Sequence, residues 1–407
     1  MDVSMFFLKF LVVLLTAKIF SEAFMRVGVP AVLGEVTAGI IIGPSVLGFV
    51  RPEATFQVIA EIGIVLLLFE VGLDTDIGQL VKEGVRSMMV AVTGVALPGA
   101  AGYLAAKAWL GMGTLPALFM GGTIVATSIG ITVRVFRDLG KQNSRMARVV
   151  LGAAVLDDVI GVVVLAVLYD LAVGGTVSVI GTVRILAFIG AFLLLAPILA
   201  RLFVPLLAKL VAHGRTKGMV PTLVTCMILA LAVAAHAVGA PEILGSFAAG
   251  IALARSSFLP LGPKIELHSK ELAERIDESM KPITDLFVPV FFVMVGVSID
   301  LSLADPGSGA FWGVVAVLTA VAVLAKIASG IWAEGGWREK LATGIAMVPR
   351  GEVGLIFAEV GKRSSVFDDR TYAAAVFIVA FSTLLGPLAL RGVLGRGKRT
   401  AISDDMP

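Results

Sequence analysis

The chain has 407 residues with a formal net charge of +3, and 58% of its residues are hydrophobic while only 15% are charged. Soluble globular domains carry about 25% charged residues, so a mean hydropathy of +0.98 excludes an ordinary soluble protein. The small net charge gives no reason to expect a nucleic-acid partner. The single Cys226 and the scattered His213, His236 and His268 exclude a disulfide framework and a cysteine- or histidine-rich metal cluster. We expect no cofactor.

The sequence predicts an all-α polytopic membrane protein with about thirteen spans, because each spanning helix needs about 20 mostly apolar residues. The candidate spans are residues 4–25, 30–49, 54–73, 84–109, 115–138, 146–170, 179–211, 219–239, 242–260, 283–300, 309–332, 338–361 and 371–394. The first is too long for a signal peptide and is expected to be retained. An outside N-terminus and a cytoplasmic C-terminus leave most of the Lys and Arg residues on the cytoplasmic side, as the positive-inside rule requires. We expect a multi-pass protein of the cell (inner) membrane.

The fifth span contains the run GGTIVATSIGITVRVF, in which Thr127 and Ser128 lie among glycines. A helix broken at such a place frees backbone carbonyls and directs helix ends towards an ion site. Hydroxyl and carbonyl oxygens are hard ligands that suit alkali cations. Ordinary close packing of small residues is the alternative. A break would put Thr127 and Ser128 at a cation site.

The sixth span carries adjacent aspartates, Asp157 and Asp158, inside the apolar run VLDDVIGVVVLAVL. An ionised group at bilayer depth costs about 2.5–3.5 kcal/mol, so such residues pair or line a water-filled path. Successive helical residues point about 100° apart, so one aspartate can hold a fixed partner while the other exchanges a proton for a cation. A helix-capping role is the alternative, but apolar residues precede the pair.

The segment 263–280 is polar with charges of alternating sign, and we expect it to form a cytoplasmic surface helix that links two halves of the protein. Lys326 is the buried cation of the eleventh span; it either pairs with one of the aspartates or extends to the membrane surface. For four other acids in or near spans, a structural role as helix caps or funnel residues is expected. These are Glu35, Glu70, Glu242 and Asp285.

The twelfth span contains MVPRGEVGLIF, where Pro349 and Gly351 predict a second broken helix and put Arg350 and Glu352 at mid-membrane depth. Its position matches that of the fifth span in an internal repeat. Residues 33–45 (LGEVTAGIIIGPS) resemble residues 244–256 (LGSFAAGIALARS), and the two segments begin on opposite sides of the membrane. The sequence therefore predicts inverted repeats of six spans with the seventh as connector, a pattern typical of secondary transporters.

These motifs together resemble the monovalent cation:proton antiporter-2 family, which includes Kef-type potassium/proton and NapA-type sodium/proton antiporters. The resemblance rests on LGEVTAGIIIGPSVLG, ATSIGITVRVF, VLDDVIG, PVFFVMVGVSID and PRGEVGLIFAEVG, in this order over nearly the whole chain. It implies two crossed, broken helices, a homodimer in the lipid membrane, and a core domain that moves like an elevator. The double acid, and the expected lack of a C-terminal nucleotide-binding domain, make the chain more similar to the NapA type.

The resemblance also implies roles for individual residues. Asp158 would be the main carboxylate for Na⁺ and protons, and Asp157 would pair with Lys326. Thr127 and Ser128 would lie at the helix crossing. Arg350 and Glu352 would form the charged pair of the other broken helix.

The implied domains alternate along the chain. Residues 1–83 and 219–308, with the polar helix 263–280, would form the dimerisation domain, and residues 84–171 and 309–398 the core transport domain. Residues 172–218 would connect them, and residues 399–407 would form a short cytoplasmic tail.

The leading functional hypothesis is an antiporter that exchanges protons for Na⁺, and also Li⁺, across the membrane. Two acids with a buried lysine suggest electrogenic exchange of two protons per sodium. A potassium/proton antiporter is one alternative, because selectivity depends on oxygen geometry. A sodium-coupled organic-anion symporter and a gated cation channel are others, although no polar cluster for an organic carboxylate is evident. An enzyme is not expected, since the sequence offers no nucleophile–base pair or metal cluster.

Overall fold

The computed structural model describes residues 2–75, 82–174, 179–213, 218–254, 269–301 and 307–395. Within these ranges the chain is all helical, with no strand. The helices are Val3–Arg26 (α1), Ala31–Ile42 (α2), Ala54–Asp74 (α3), Gly84–Leu104 (α4), Thr114–Thr123 (α5), Ile129–Asp138 (α6), Arg145–Gly174 (α7), Val179–His213 (α8), Met219–Ala237 (α9), Glu242–Leu253 (α10), Ser269–Val297 (α11), Gly309–Ser329 (α12), Trp337–Ala346 (α13), Glu352–Arg363 (α14) and Asp369–Leu394 (α15). Eight of the described helices are long and apolar enough to cross a membrane, and three shorter apolar helices accompany them.

Two of the predicted spans are divided. The fifth span consists of α5 and α6, separated by residues 124–128, and the twelfth consists of α13 and α14, separated by residues 347–351. The second predicted span, 30–49, is also shorter than expected, because α2 ends at Ile42. Gly43 adopts extended backbone there, as the residue before Pro44 tends to do.

The prediction of a separate polar helix over 263–280 is wrong in its described part. Residues 263–268 lie outside the described residues, while Ser269 begins α11, which continues without interruption into the tenth span and ends at Val297. A change from polar to apolar residues does not stop a helix, and Pro282, the residue at the junction, removes only one backbone donor.

Close helix crossings at glycine hold one part of the bundle together. A Cβ atom on Gly39 of α2 would lie 2.0 Å from the carbonyl oxygen of Val293 in α11, and one on Gly250 of α10 would lie 2.1 Å from that of Phe69 in α3. Small residues at such points let helix backbones approach in the membrane, where apolar burial alone gives little driving force.

A charged network joins three segments at one end of the bundle. Glu83, just before α4, accepts hydrogen bonds from Arg86 at 2.8 Å and from Arg145 of α7 at 2.5 Å. Both arginines also pair with Glu334, which precedes α13. Burial by itself would raise the pKa of Glu83, but the hydrogen bonds from Arg145 and Arg86 outweigh it and hold that pKa below its ordinary value.

We expect Glu83→Gln to lower the free energy of unfolding at pH 7 by about 1.5–3 kcal/mol, the usual range for hydrogen bonds to a charged group. The folded-state pKa lies below the unfolded value of about 4.3, so this contribution is present above that pH and is lost as the pH falls through the folded pKa. Thermal unfolding in detergent, at pH 7 and at acidic pH, measures the difference.

The matched control is Glu22→Gln, which removes an exposed glutamate that pairs with Arg26 on the same helix. We expect it to change stability little. A Glu83→Gln effect no larger than that of Glu22→Gln, or one that persists below the folded pKa, would contradict the assignment.

Candidate ion-binding site

Both aspartates of α7 are buried deep in the bundle. They lie about 18 Å along the helix from Arg145 at 1.5 Å per residue, and Asp157 and Asp158 are 1% and 3% exposed. Lys326 of α12 is fully buried, so it does not extend to the membrane surface. Its Nζ donates a hydrogen bond to Oδ2 of Asp157 over 3.1 Å, and Asp158 acts on it electrostatically. The structure thus brings the three predicted charges together.

Arg350 is the second fully buried cation, and it belongs to the break between α13 and α14. Its Nη1 donates to the carbonyl oxygen of Ala126 at 2.6 Å, in the other break, and its Nη2 donates to that of Ala322 in α12 at 3.5 Å. Asp157 also acts on it electrostatically. Backbone carbonyls freed by a helix break need such a donor in the absence of water.

Hydrogen bonds from the threonines of one broken span hold the two breaks against each other. Thr127 Oγ1 donates to the carbonyl oxygen of Met347 at 3.1 Å, and Thr132 Oγ1 donates to that of Ala346 at 2.8 Å. The backbone N–H of Ser128 donates to the carbonyl of Pro349 at 2.9 Å. Main-chain and side-chain donors from α5–α6 therefore satisfy carbonyls at the end of α13.

Ser128 also starts α6, because its Oγ accepts a hydrogen bond from the N–H of Ile131 at 3.4 Å. A Cβ atom on Gly351 would lie 2.8 Å from that same Oγ. Any larger residue at position 351 would therefore displace the serine side chain from the crossing.

Sequence reasoning missed Thr383 of α15, whose Oγ1 donates to the carbonyl oxygen of Arg350 at 2.6 Å. It fixes the backbone of the residue that carries the guanidinium. A threonine inside an apolar span gives no local signal of such a role, since it most often bonds its own helix. The same hydroxyl also lies 2.8 Å from the carbonyl oxygen of Val379, so its single proton is shared between the two carbonyls.

Two polar atoms beside the buried charges, Oδ1 of Asp157 and Nε of Arg350, have no hydrogen-bond partner among the described residues. A Cβ on Gly94 of α4 would lie 3.5 Å from the Nζ of Lys326, an ordinary contact distance, so α4 packs against the lysine. Buried polar atoms are normally satisfied by protein or ordered water. The arrangement therefore suits a hydrated site.

Apart from Glu352, the remaining predicted residues lie away from this site. Glu352 begins α14, but its side chain lies outside the described residues. Glu70 pairs with Arg137 at 2.9 Å, and Glu242 contacts His236 at 2.7 Å. Glu35 is buried between α1, α2 and α6, and Asp285 is exposed on α11. Among the described residues, no group of three or more His, Cys, Asp and Glu side chains could hold a metal ion.

The chain is similar to known proteins over almost its full length. The model of the family described as "Sodium/hydrogen exchanger, transmembrane" matches residues 11–395. The High-affinity Na(+)/H(+) antiporter NhaS3 of Synechocystis sp. is 32% identical over 96% of this chain and 90% of its own length. The Na(+)/H(+)-K(+) antiporter GerN of Bacillus cereus is 32% identical over 96% of each chain.

A solved structure shares the fold. The sodium proton antiporter MjNhaP1 of Methanocaldococcus jannaschii superposes with a TM-score of 0.73 at 17% identity, covering 100% of both chains. The family match and the apolar helices identify a multi-pass membrane protein of a transporter family. The chain belongs to the sodium/hydrogen exchanger family.

We expect Lys326→Met to lower the free energy of unfolding by about 3–5 kcal/mol, because it leaves Asp157 buried without its cation. Adding Asp157→Asn should restore part of that loss, since the second change removes the stranded charge. Thermal unfolding of the purified variants in detergent measures both effects.

Lys107→Met is the matched control, since Lys107 is an exposed lysine just after α4. It should leave the unfolding midpoint nearly unchanged. If the double variant is less stable than Lys326→Met alone, the pair is not the source of the loss.

Proposed function

We propose that this protein exchanges protons for monovalent alkali cations, Na⁺ first and also Li⁺, by competition of the two ions for Asp158. The observation that carries the proposal is the set of four buried charges: two carboxylates on α7, and Lys326 and Arg350 within electrostatic reach of them. A buried carboxylate that must bind either a proton or a cation is suited to alternate between them.

The charges of this set decide how proton release is coupled to cation binding. With Asp158 protonated and Asp157, Lys326 and Arg350 ionised, the set carries one net positive charge in a low-dielectric interior. Replacing the proton on Asp158 by a bound cation leaves that net charge unchanged. Release of a second proton from Lys326 would give two protons per sodium and make the exchange electrogenic.

The other predicted residues support the binding carboxylate. The hydroxyl proton of Thr127 forms the hydrogen bond to Met347 at the crossing, and the hydroxyl oxygen can still serve as a cation ligand. Ser128 and Arg350 hold the two breaks in place. For Glu352 we retain the predicted role of compensating the charge of Arg350.

Thirteen spans and an inverted repeat are the topology that we propose. The eight long helices, the three short apolar helices and the two divided spans together support that number. Paired crossings support the repeat: Gly39 packs on Gly296, and Gly250 packs on Gly72. In the repeat, Gly250 corresponds to Gly39 and Gly296 to Gly72. An outside N-terminus and a cytoplasmic C-terminus in the inner membrane follow from the positive-inside rule.

Two moving units are the mechanical part of the proposal. One apolar cluster joins α5, α12, α14 and α15, all within residues 84–171 and 309–398. Another joins α3, α9, α10 and α11, all within residues 1–83 and 219–308. These clusters support a core unit that carries Asp158 like an elevator past a second unit, which forms a homodimer in the lipid.

A cavity of about 270 Å³ offers a route for ions on the side where α3 ends and α7 begins. Its lining includes Asp74, Arg137, Asn143, Arg148 and Leu151. Leu151 precedes Asp158 by about 10 Å along α7. We propose this cavity as the cytoplasmic access path.

Proton movement in proteoliposomes tests the function. Addition of Na⁺ or Li⁺ should drive proton flux in the wild type, and Asp158→Asn should reduce it to the level of empty vesicles. Clamping the voltage with an ionophore should change the rate if the exchange is electrogenic. The matched control is Asp170→Asn on the same helix, which should retain the flux.

Each other outcome has a distinct meaning. Flux that persists in Asp158→Asn, or that no alkali cation drives, would contradict the proposal. A response to K⁺ as strong as to Na⁺ would favour the potassium alternative, which the name of the Na(+)/H(+)-K(+) antiporter GerN also suggests.

A further inference from the structure

A second group of buried charges lies away from Asp158, where α6 meets α1 and α2. Glu35 of α2 is 1% exposed. Its Oε1 accepts a hydrogen bond from Ser21 Oγ of α1 at 2.9 Å and lies 3.6 Å from Nη2 of Arg134 in α6. Its Oε2 is buried with no hydrogen-bond partner among the described residues. This carboxylate is therefore only partly satisfied.

Further contacts tie α6 to the same place. Nε of Arg134 lies 3.6 Å from Oδ1 of Asp138, one turn later in α6. Oδ2 of Asp138 in turn accepts a hydrogen bond from the backbone N–H of Ala31, at the start of α2, over 2.8 Å. Nearby, Arg137 of α6 pairs with Glu70 of α3. The Asp138–Ala31 and Arg137–Glu70 contacts cross between α6 and helices of the other proposed unit.

Movement of α6 would separate Glu35 from Arg134 but would leave its hydrogen bond with Ser21 intact. Ser21 and Glu35 belong to residues 1–83, whereas Arg134 belongs to residues 84–171, which the proposed elevator carries. A shift of a few ångströms removes the arginine but leaves Glu35 buried with Ser21. A buried carboxylate that loses its cation takes up a proton, because the neutral form tolerates burial.

We propose that Glu35 is a proton-binding site separate from Asp158, ionised while Arg134 lies beside it and protonated once α6 has moved away. The inference rests on the proposed function, since it needs the elevator movement. The proton comes from water on the side of the cavity beside α6 and returns to it, so the site changes the pH dependence of the movement and not the number of protons exchanged per cation.

The charges that face Glu35 are few, and they come from every element around it. Arg134 and Asp138 lie on α6, and Lys18 on α1. Asp285 of α11 and Glu70 of α3 act on Arg134 from further away. Apart from Arg134, no cation among the described residues contacts the carboxylate of Glu35, so its ionisation depends on the position of α6.

The distance between the α1–α2 connection and the α6–α7 connection tests the site. Spin labels at Val27→Cys and Lys141→Cys, two exposed positions, report how far α6 has moved from α2. Both cysteines are introduced into the 407-residue chain that also carries Cys226→Ala, because the exposed Cys226 would otherwise take up the label as well. In proteoliposomes, we expect the longer distance to become more populated as the pH falls.

Two variants and one control make the test specific. Glu35→Gln mimics the protonated acid, so it should favour the longer distance at every pH. Ser21→Ala removes a donor to the carboxylate and should move the midpoint to higher pH by roughly half a unit. Glu70→Gln removes a glutamate that is also paired with an arginine of α6, and this variant should retain the pH-dependent change in distance.

The proposal is overturned if the wild-type distances do not change with pH, if Glu35→Gln keeps the wild-type pH dependence, or if Glu70→Gln abolishes that dependence equally. If Glu35→Gln does not fold, Ser21→Ala decides: a midpoint at higher pH supports the proposal, and an unchanged midpoint contradicts it. Sodium-driven proton flux is measured on the same samples. Wild type that exchanges ions but shows no pH-dependent distance refutes this site alone, whereas wild type without exchange refutes the proposed function.

Discussion

The structure depends on one constraint, which is that no charge or backbone carbonyl inside the bilayer can remain without a partner. Each unsatisfied polar group in hydrocarbon costs several kcal/mol. Lys326 therefore pairs with Asp157, and Arg350 binds the carbonyl oxygens of Ala126 and Ala322. The cations permit two carboxylates and two helix breaks to exist in the same place. Neither the breaks nor the aspartates would be tolerable there separately.

Where the two breaks cross, the hydrogen bonds are made by the backbone and by short threonine side chains. Thr127, Thr132 and the N–H of Ser128 bond carbonyls of residues 346–349, and Thr383 bonds the carbonyl of Arg350. These partners come from three spans, the fifth, the twelfth and the thirteenth. These bonds hold the two breaks against each other, so the proposed ion beside them would meet a site whose geometry is already fixed.

The sequence predicts those parts of this arrangement that depend on a short stretch of neighbouring residues. Hydropathy predicted the apolar spans, and the glycines and Pro349 indicated where two of them divide. Asp157, Asp158 and Lys326 were evident as charges in apolar runs. The bonds of Arg350 to Ala126 and of Thr383 to Arg350 were not predictable, because they depend on how distant helices cross. The polar residues before Pro282 were misread as a separate helix, because polarity changes there while helix propensity does not.

The buried ion pairs differ in whether movement would break them. Lys326 and Asp157 lie on α12 and α7, and both helices belong to the proposed core unit, so their pair can travel intact through the membrane. Glu35 with Arg134 and Glu70 with Arg137 each join α6 to a helix of the other unit, so they must exchange partners when the units slide. Glu70, at 15% exposed, can exchange its arginine for water. Glu35 has no such replacement, and a proton is the smallest ligand that can neutralise it. The same physical cost that fixes the ion site inside one unit therefore makes the boundary between the units sensitive to pH.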